Sequence, residues 1–499
     1  MKLSLSSLSQ ANAAQRPFPS ELSAKVGIVH LGYGAFHRAH QALITDTYMK
    51  EKGGNWKIVG VSWGNTELQD SMAQQDNLYS VGVGYNDQLD IHIVGAVETI
   101  LTSREIDKVF AYLRDPAIKI VSLTVTEKGY CHNPATGDLD LEHPFIKHDL
   151  EDPTHPQSAI GFLVEGLNYR RLHGIRPFTP MTCDNLPENG HVLEKVVLQF
   201  AQARDAELYQ WIKENIQFPC TMVDRIVPRT TAQDIDRISD ALGVRDDACV
   251  VTEPFLQWVV EDKFVNERPL WETTSIANIQ VTDNVLPFEE MKLRLLNGTH
   301  SSMAYLGYLS GYSTIAETIA DPQFKTFIRA MMDNEITPSV HIQGVDLNDY
   351  KNQLIERYEN RALKHLTWQI AMDGSQKVPQ RFLQTMRYGL EHNIDLSGLY
   401  LALAGWIRYV SGIDEQNQPI DVQDPLKKTF AQVWEQHKNT PEQLVPAFVA
   451  INKVFDPFFA QHPQFIDQLT AALKVIMNVG AKQAVYQWVQ EHQSLATHC

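Results

Sequence analysis

The hydrophobic pattern of the first 285 residues alternates between two periods. Short apolar runs with β-branched residues, such as VGIVHL (26–31) and WKIVGVSW (56–63), predict strands. Longer segments, such as IDKVFAYLRD (106–115) and HVLEKVVLQFAQAR (191–204), place apolar side chains at helical spacing and predict helices. Strands and helices that alternate in this way are typical of βαβ units, so this region predicts a mainly parallel sheet.

Four further segments belong to the same region. FHRAHQALITDTYMKEK (36–52) predicts one continuous helix directly after the first strand. Residues 78–98 predict a hairpin, because two strand-like runs flank the turn sequence YNDQ. IKIVSLTVTEKGY (118–130) predicts a buried strand, and PFTPMTCDN (177–185) predicts another.

The period changes near residue 285. Beyond it, apolar residues recur at helical spacing in segments such as 288–309, 399–412 and 463–492, and strand-like runs are scarce. We therefore expect an α/β domain with a Rossmann-like topology over residues 1–285 and a mostly α-helical domain over residues 286–499. A cleft between two such domains is the expected place for a substrate.

Composition and charge argue against several classes of function. The 499 residues are 43% hydrophobic and carry a net charge of −17. A chain this acidic lacks the basic surface that nucleic acids and anionic membranes require, so we expect neither as a partner. The N-terminal sequence has no apolar run of signal-peptide length, and no run of about 18 apolar residues predicts a transmembrane helix.

The cysteines and the paired histidines do not predict a metal site. The five cysteines, of which Cys499 is the last, are scattered and form no C-x-x-C pair, so neither a disulfide framework nor a zinc ribbon is expected. His37 and His40 lie three residues apart without a third ligand nearby, and we interpret them as packing residues. A cytoplasmic protein without a bound metal is the resulting expectation.

A glycine-rich turn follows the first predicted strand. The sequence IVHLGYGAFHRAHQ places Gly32 and Gly34 between a strand and a helix, where backbone N–H groups can approach a dinucleotide pyrophosphate. His37 occupies the place of the third glycine of that motif, so an ordinary βα turn is the open alternative. Glu67, with Asp70 behind it, is the candidate to bind the ribose of NAD after the second strand. A solvated carboxylate that opens a helix is the alternative for both.

Four polar residues recur within one apolar segment near the start of the helical region. On an α-helix with Lys292 at 0°, Asn297 falls at roughly 140°, His300 at roughly 80° and Glu289 at roughly 60°. All four would lie on one arc, and burying them would be costly unless the polar groups are satisfied or used in chemistry. A polar stripe that faces solvent, or a helix end capped by Asn297, is the alternative.

These residue types suit the reduction of a carbonyl by hydride. A lysine in a partly dry site can have its pKa lowered enough to donate a proton near neutral pH, which makes Lys292 the candidate acid. Asparagine amides can stabilise the developing negative oxygen, and Asn297 is one candidate. Asn185 is a second candidate because it follows a predicted strand, where ligands of α/β sheets bind; a turn residue before a proline is the alternative.

Several motifs together resemble a known family. They resemble those of the long-chain, polyol-specific dehydrogenases typified by mannitol 2-dehydrogenase. The motifs are GYGAFHRAHQ, TEKGYC, CDNLPENG, FVNERP and MKLRLLNGTH. The resemblance runs from about residue 25 to beyond residue 480. Within the family, three segments look closest to the fructuronate reductases, also called D-mannonate oxidoreductases. These segments are IVSLTVTEKGYC, FPCTMVDRIVP and TWQIAMDGSQKVPQR.

The resemblance implies a metal-independent, NAD-linked oxidoreductase of secondary alcohols and ketones. It implies Lys292 as general acid and base, two asparagines that bind the oxyanion, and His300 as the residue that orients the substrate. The oxyanion residues would be Asn185 and Asn297, and the substrate-binding positions would be Asp224, Glu289 and Lys377. The cofactor-binding positions would be Gly32, Gly34, Ala35, Phe36, Glu67, Thr126 and Glu127.

The substrate is less constrained than the chemistry. Mannitol-oxidising members carry an arginine eight residues before the substrate-binding lysine, where this chain has Gln369. The resemblance therefore favours interconversion of D-fructuronate and D-mannonate. Mannitol with fructose, and tagaturonate, remain alternatives among sugar substrates. A non-catalytic NAD sensor is the alternative from another class, although it would not need a proton donor beside the nicotinamide.

Overall fold

The computed structural model describes residues 1–19, 24–64, 66–133, 136–438 and 440–492. The chain divides into two compact units, Met1–Leu286 and Pro287–Cys499. Cys131, Cys183, Cys220 and Cys249 are free and buried, whereas Cys499 lies outside the described residues. No helix within the described ranges is both long enough and apolar enough to cross a membrane.

The first unit is built around a five-stranded parallel sheet. Its strand order is β5-β2-β1-β6-β7, and every neighbouring pair is parallel. The strands of the unit, numbered along the chain, are β1 (Val26–Leu31), β2 (Lys57–Ser62), β3 (Tyr79–Tyr85), β4 (Gln88–Val94), β5 (Val97–Thr102), β6 (Ile120–Leu123), β7 (Thr179–Thr182), β8 (Thr221–Asp224), β9 (Val250–Thr252), β10 (Gln257–Glu261) and β11 (Ile279–Thr282).

The helices of the first unit cover both faces of this sheet. They are α1 (Ala35–Ala39), α2 (Gln41–Lys52), α3 (Thr66–Ala73), α4 (Ile106–Arg114), α5 (Pro144–Glu151), α6 (Ala159–Leu172), α7 (Asn189–Arg204), α8 (Ala206–Asn215) and α9 (Ala232–Leu242). Alternate residues of β1 enter two separate cores: Val29 packs with Phe110 and Phe162, and Ile28 packs with Trp258. Burial on both faces explains why the strands read as continuous apolar runs.

The chain changes direction between β1 and β6. From β1 it proceeds outward to β2 and β5, then returns to the other side of β1 with β6 and β7. At such a reversal the loops after the two central strands diverge and leave a crevice at the carboxyl ends. The loops that begin at Gly32 and Thr124 therefore form the expected ligand-binding edge of the sheet.

Two three-stranded sheets accompany the main one. The predicted hairpin of residues 78–98 is confirmed, since β3 and β4 pair antiparallel from Tyr79 with Val94 to Tyr85 with Gln88. β9 adds to this pair in parallel, and the third sheet has the order β11-β10-β8. Strands β8 to β11 contain three to five residues each, which is too short for their period to be recognised in the sequence.

Two predicted elements have different bounds in the structure. The single helix expected over 36–52 is broken at His40, whose φ of −120° and ψ of −99° are not helical. The His40 ring stacks on Phe36 and meets Trp258 edge-on, so tertiary packing fixes the break. The strand expected over 118–130 ends at Leu123, and residues Glu127–Tyr130 form a 3₁₀ turn instead.

The second unit is helical, as predicted. Its helices are α10 (Leu286–Met291), which begins at the last residue of the first unit, α11 (Thr299–Leu309), α12 (Ile315–Ala320), α13 (Pro322–Met331), α14 (Leu347–Glu359), α15 (Thr367–Ala371), α16 (Gly374–Val378), α17 (Gln384–Glu391), α18 (Ser397–Tyr409), α19 (Lys427–His437), α20 (Pro441–Val449), α21 (Pro457–Ala460), α22 (Pro463–Val479) and α23 (Ala481–Glu491). α18 packs against α11 and α22, and its side chains are buried almost all round. A helix that is apolar on every face belongs at the centre of a bundle.

Three segments of the second unit are π-helical. They are Lys292–Gly298, Met332–Ile336 and Pro379–Leu383. The first and third of them pack together: a Cβ added to Gly298 would lie 3.0 Å from the carbonyl oxygen of Arg381. Because π-helical turns are rare and are found mostly at functional sites, this pair of segments is the candidate functional site of the second unit.

The two glycines of the turn after β1 should respond differently to alanine. Gly32 has φ +90°, and a Cβ there would lie 2.1 Å from the carbonyl oxygen of Thr124, so Gly32→Ala should lower the free energy of unfolding by at least about 1–3 kcal/mol. A Cβ at Gly34 meets nothing closer than 3.7 Å, and Gly34→Ala should cost less than about 1 kcal/mol. Denaturant unfolding measures both. Equal losses would contradict the geometry of the turn.

Candidate active site

The carboxyl edge of the parallel sheet holds a cavity of about 480 Å³. Loops after three strands line it: Gly32 and Tyr33 follow β1, Ser62 and Trp63 end or follow β2, and Thr124, Val125 and Thr126 follow β6. The cavity therefore lies at the reversal of strand order, where α/β sheets bind nucleotides. Its volume is within the range of small-molecule and cofactor sites.

The glycine turn is shaped to bring backbone to this cavity. The left-handed φ of Gly32 and the close approach of Thr124 leave no room for a side chain there. Gly34, Ala35 and Phe36 follow directly at the start of α1 and are partly exposed. One side of the turn packs closely on the end of the neighbouring strand, and the other side is partly exposed. Such a turn fits the binding of a dinucleotide.

The remaining predicted cofactor positions lie on the same edge. Thr126 lines the cavity, and Glu127 follows it as an exposed residue at the start of the 3₁₀ turn. Glu67 lies in the first turn of α3, the helix after β2, and its side chain is exposed. Glu67 is not among the described residues that line the cavity, so its contact with a ribose stays a prediction.

Two predicted substrate residues belong to the first unit. Asn185 is exposed in the loop that follows β7, and its neighbour Asp184 is buried. Asp224 ends β8, where it pairs in register with Gln257, and it is 2% exposed. Asn185 is thus exposed at the carboxyl end of β7, whereas Asp224 is buried at the end of β8.

The predicted catalytic segment of the second unit is not the α-helix assumed from the sequence. Lys292–Gly298 is π-helical, with hydrogen bonds that span five residues rather than four. The angle of roughly 140° between Lys292 and Asn297 was therefore wrong, because the wider π-helical turn brings residues five apart closer to the same side of the helix. Asn297 and His300 are three apart where the chain returns to α-helix, so they also share a face.

This face of the segment is buried. Lys292, Asn297 and His300 are each 7% exposed, and so is Glu289 on the preceding turn. Neither Asn297 Nδ2 nor His300 Nε2 has a hydrogen-bond partner among the described residues. Because buried polar atoms are nearly always hydrogen-bonded to protein, water or a ligand, these two atoms on one face are candidates to bind a ligand.

A group of cations surrounds His300. Its ring lies 4.5 Å from that of His365 in an edge-on arrangement. Burial, and after it the charges of Lys377, Arg357 and Arg381, lower the pKa of His365 to about 4. Burial lowers the pKa of His300 well below its usual value, and His365 and the same three cations add to this effect. Both rings are neutral at neutral pH beside three permanent positive charges, an arrangement that suits an anionic ligand.

The cations are held by the second unit itself. Arg381 Nη1 donates to Ser301 Oγ at 2.8 Å, and Lys377 Nζ donates to the carbonyl oxygen of Ile370 at 3.1 Å. Arg357 is buried on α14. The sequence analysis did not identify Arg381 or His365. Arg381 is the last residue of the family-like segment TWQIAMDGSQKVPQR, whereas His365 lies two residues before that segment and gave no signal.

The described residues offer no group of three or more His, Cys, Asp or Glu side chains arranged to hold a metal ion. His37 is buried and stacks on His30 with ring centroids 3.5 Å apart. His40 packs between Phe36 and Trp258, so both histidines of the FHRAHQ motif serve packing beneath the glycine turn.

A parallel sheet with a nucleotide-type cavity at its reversal point, joined in one chain to a helical unit with a buried lysine and amide, is typical of dinucleotide-linked oxidoreductases. Comparison with known proteins defines the family. Residues 26–273 match the mannitol dehydrogenase Rossmann domain, and residues 284–477 match the mannitol dehydrogenase C-terminal domain. The chain therefore belongs to the mannitol dehydrogenase family, and it is an oxidoreductase of secondary alcohols and ketones. The predicted family, fold class and type of enzyme are confirmed.

Individual relatives differ in their substrates. D-Mannonate oxidoreductase of Escherichia coli (strain K12) is 46% identical over 465 residues, which are 92% of this chain and 94% of that protein. An uncharacterized oxidoreductase of the same organism is 47% identical over 462 residues, with 92% and 93% covered. Among solved structures, Pseudomonas fluorescens mannitol 2-dehydrogenase in complex with NAD and D-mannitol superposes with a TM-score of 0.89 at 35% identity, over 98% of this chain and 100% of that one.

Removing one of the cations should change the titration of a histidine. Lys377 is the largest of the three charge effects on His365, so Lys377→Met should raise the pKa of His365 above about 4 while burial keeps it below 6.5. Histidine NMR as a function of pH measures the shift. Arg387→Met removes a cation that pairs with Asp456 instead and should leave that pKa unchanged. An unchanged pKa in the Lys377 variant would contradict the cluster.

Proposed function

We propose that this chain interconverts D-fructuronate and D-mannonate with NAD as cofactor. The observation that carries the choice of substrate is the group of Lys377, Arg357 and Arg381 around the neutral rings of His300 and His365. A carboxylate can pair with a guanidinium in a two-pronged, charge-assisted contact, whereas an uncharged polyol offers such cations only hydroxyl groups. The 46% identity to an E. coli D-mannonate oxidoreductase supports the same choice.

The first unit is proposed to hold NAD. Its carboxyl-edge cavity has a glycine turn on one side and the Thr124–Thr126 loop on the other, and the solved mannitol 2-dehydrogenase, 35% identical, was crystallised with NAD. Glu67 would accept hydrogen bonds from the adenosine ribose and disfavour a 2′-phosphate. When bound, NADH supplies the hydride that reduces the carbonyl carbon.

The second unit is proposed to supply the proton. Protonated Lys292 donates to the carbonyl oxygen as that oxygen gains negative charge, and it takes the proton back in the oxidative direction. The Asn297 amide, whose Nδ2 has no partner among the described residues, donates a hydrogen bond to the same oxygen. Asn185 is proposed as a second donor, and Glu289 and Asp224 as further polar residues that bind the substrate.

His300 and the cations are proposed to orient the sugar acid. A neutral His300 can donate or accept through Nε2, so it can bind a hydroxyl group next to the reacting carbon. Lys377, Arg357 and Arg381 would then meet the carboxylate. Contacts at the carboxylate and at the reacting carbon would together fix the orientation of the bound substrate.

The second candidate substrate pair is D-mannitol and D-fructose. The complex of the 35% identical Pseudomonas fluorescens enzyme with D-mannitol favours it. An uncharged substrate would offer the cations around His300 only hydroxyl groups and would gain no charge pairing from them. The two candidates therefore differ in a property that a single charge-removing variant can test.

A substrate panel separates the candidates. We expect NADH oxidation with a higher kcat/KM for D-fructuronate than for D-fructose or D-tagaturonate. Arg381→Met should raise KM for D-fructuronate at least about tenfold, because a charge-assisted contact to the carboxylate is lost, and change KM for D-fructose little. A preference of the native enzyme for D-fructose would reject the uronate assignment.

Replacing the proposed acid should slow chemistry and spare cofactor binding. Lys292→Ala should lower kcat by ~10²–10⁴-fold, the usual contribution of general acid–base catalysis, while the Kd for NADH stays within about threefold. The control is Lys351→Ala on α14, a lysine that is 4% exposed and pairs with Asp333. That variant should lose stability and keep its kcat. Near-native turnover of Lys292→Ala would reject its role.

A further inference from the structure

Asp184, which the sequence analysis did not identify, holds two consecutive backbone groups at the wall of the cavity. Its Oδ2 accepts the N–H of Val125 at 2.9 Å, and its Oδ1 accepts the N–H of Thr126 at 2.9 Å. The Tyr130 hydroxyl donates to Oδ2 at 2.8 Å and also contacts Thr182 Oγ1. The carboxylate is buried, and both of its oxygens are used to shape the loop after β6.

The loop that Asp184 holds is strained. Thr126 has φ +62° and ψ +169°, a region of backbone conformation that only glycine adopts readily. Such a conformation persists where surrounding contacts impose it, and it is found mostly at functional sites. Thr126 lines the cofactor cavity, so the hydrogen bond to its N–H fixes the very residue that is strained there.

The backbone of Asp184 is fixed as firmly as its side chain. Its carbonyl oxygen accepts from Asn189 Nδ2 at 3.0 Å, and its N–H donates to Thr182 Oγ1 at 3.1 Å. Asn189 is buried and also exchanges hydrogen bonds with the backbone of Thr221, donating at 2.9 Å and accepting at 2.9 Å. Asn185, the next residue, is thus carried by a segment that is tied to both β7 and β8.

The pKa shifts of Asp184 and Tyr130 are consistent with a role for Asp184 in holding the loop. Burial raises the pKa of Asp184 to about 6, although the hydrogen bonds from Tyr130, Val125 and Thr126 lower it. Burial raises the pKa of Tyr130 well above its usual value, so its hydroxyl stays protonated and can donate. Burying a carboxylate among neutral donors costs desolvation free energy. A buried carboxylate of this kind is therefore consistent with a role in shaping the loop.

We propose that Asp184 is a positioning residue for the reaction: its carboxylate holds the strained Thr126 turn against the cofactor, and its backbone sets the Asn185 amide. One residue then fixes the wall of the cofactor site and the adjoining donor to the substrate. The part that concerns Asn185 rests on the proposed function, whereas the part that concerns Thr126 requires only that the cavity binds NADH.

Asp246 offers a matched control. It is also a buried aspartate whose oxygens accept two backbone groups, the N–H of Ser80 at 2.6 Å and that of Ala248 at 2.8 Å, together with Gln75 Nε2 at 2.8 Å. None of these residues is among the described residues that line the cavity. Asp246→Asn therefore measures the cost of a lost buried carboxylate without any effect on the Thr126 turn.

The test compares the two variants in the full-length enzyme. Asp184→Asn should raise the Kd for NADH, measured by fluorescence titration without substrate, at least about tenfold, since a charged acceptor of two backbone groups is lost. It should also lower kcat at saturating NADH. Asp246→Asn should lower the melting temperature and leave the Kd for NADH unchanged. An unchanged Kd in folded Asp184→Asn would overturn the proposal.

A second substitution distinguishes positioning from general damage. Thr126→Gly removes the strain, because glycine adopts this conformation readily, so the double variant Asp184→Asn/Thr126→Gly should recover most of the lost NADH affinity. No recovery would mean that the loss of affinity does not arise from the Thr126 turn, and it would overturn that part of the proposal. If Asp184→Asn does not fold, Tyr130→Phe, which keeps the carboxylate and removes one donor, should weaken NADH binding by a smaller factor; native affinity there would also overturn the proposal. Because these titrations contain no sugar, they stand if the assignment of D-fructuronate fails.

Discussion

The close contact between the end of β1 and the end of β6 is the constraint on which the first unit depends. Gly32 turns beside the carbonyl oxygen of Thr124, and Thr124 Oγ1 donates back to the carbonyl oxygen of Gly32 at 3.0 Å. Beneath this contact His30 bridges Ser122 Oγ and Thr124 Oγ1, each at 2.8 Å. Burial lowers the pKa of His30 to about 3, so the ring is neutral, with one nitrogen that donates and one that accepts. The two strands are thereby locked in register where the cavity opens.

The second unit solves a different problem, which is to place a lysine and an amide on one face within a buried helix. An α-helix would turn Asn297 away from Lys292, but the wider π-helical turn reduces the angle between the two side chains. A π-turn is less stable than an α-turn and has to be imposed by packing. The close approach of the Arg381 backbone to Gly298 is part of that packing, and it favours a residue without a side chain because a Cβ there would lie 3.0 Å from the Arg381 carbonyl oxygen.

These two features mark how far the sequence could predict the structure. Buried strands and long amphipathic helices were recognised because their period is local, and the boundary near residue 285 was visible as a change of period. The break at His40 depends on Trp258, more than 200 positions away in the chain, and the π-turn depends on the segment that contains Arg381. Glycine spacing predicted the turn at Gly32, yet nothing local to Thr126 reveals that Asp184 holds it. Long-range contacts, rather than residue type, decide such details.

The protonation states of His300 and of the residues around it connect the fold to the proposed selection of a substrate. Two histidines that are buried beside three cations cannot also ionise without a large cost, so they remain neutral and act as hydrogen-bonding groups. The positive charge of the site is therefore carried by Lys377, Arg357 and Arg381 and not by the two histidines. An anionic substrate gains from that charge at every stage of the reaction. In the proposed mechanism, the transfer of hydride and proton gains instead from groups that contact the carbonyl oxygen, a role proposed for the Asn297 amide. Binding energy at the charged end can thus position the reacting end without stabilising the ground state of the carbonyl itself.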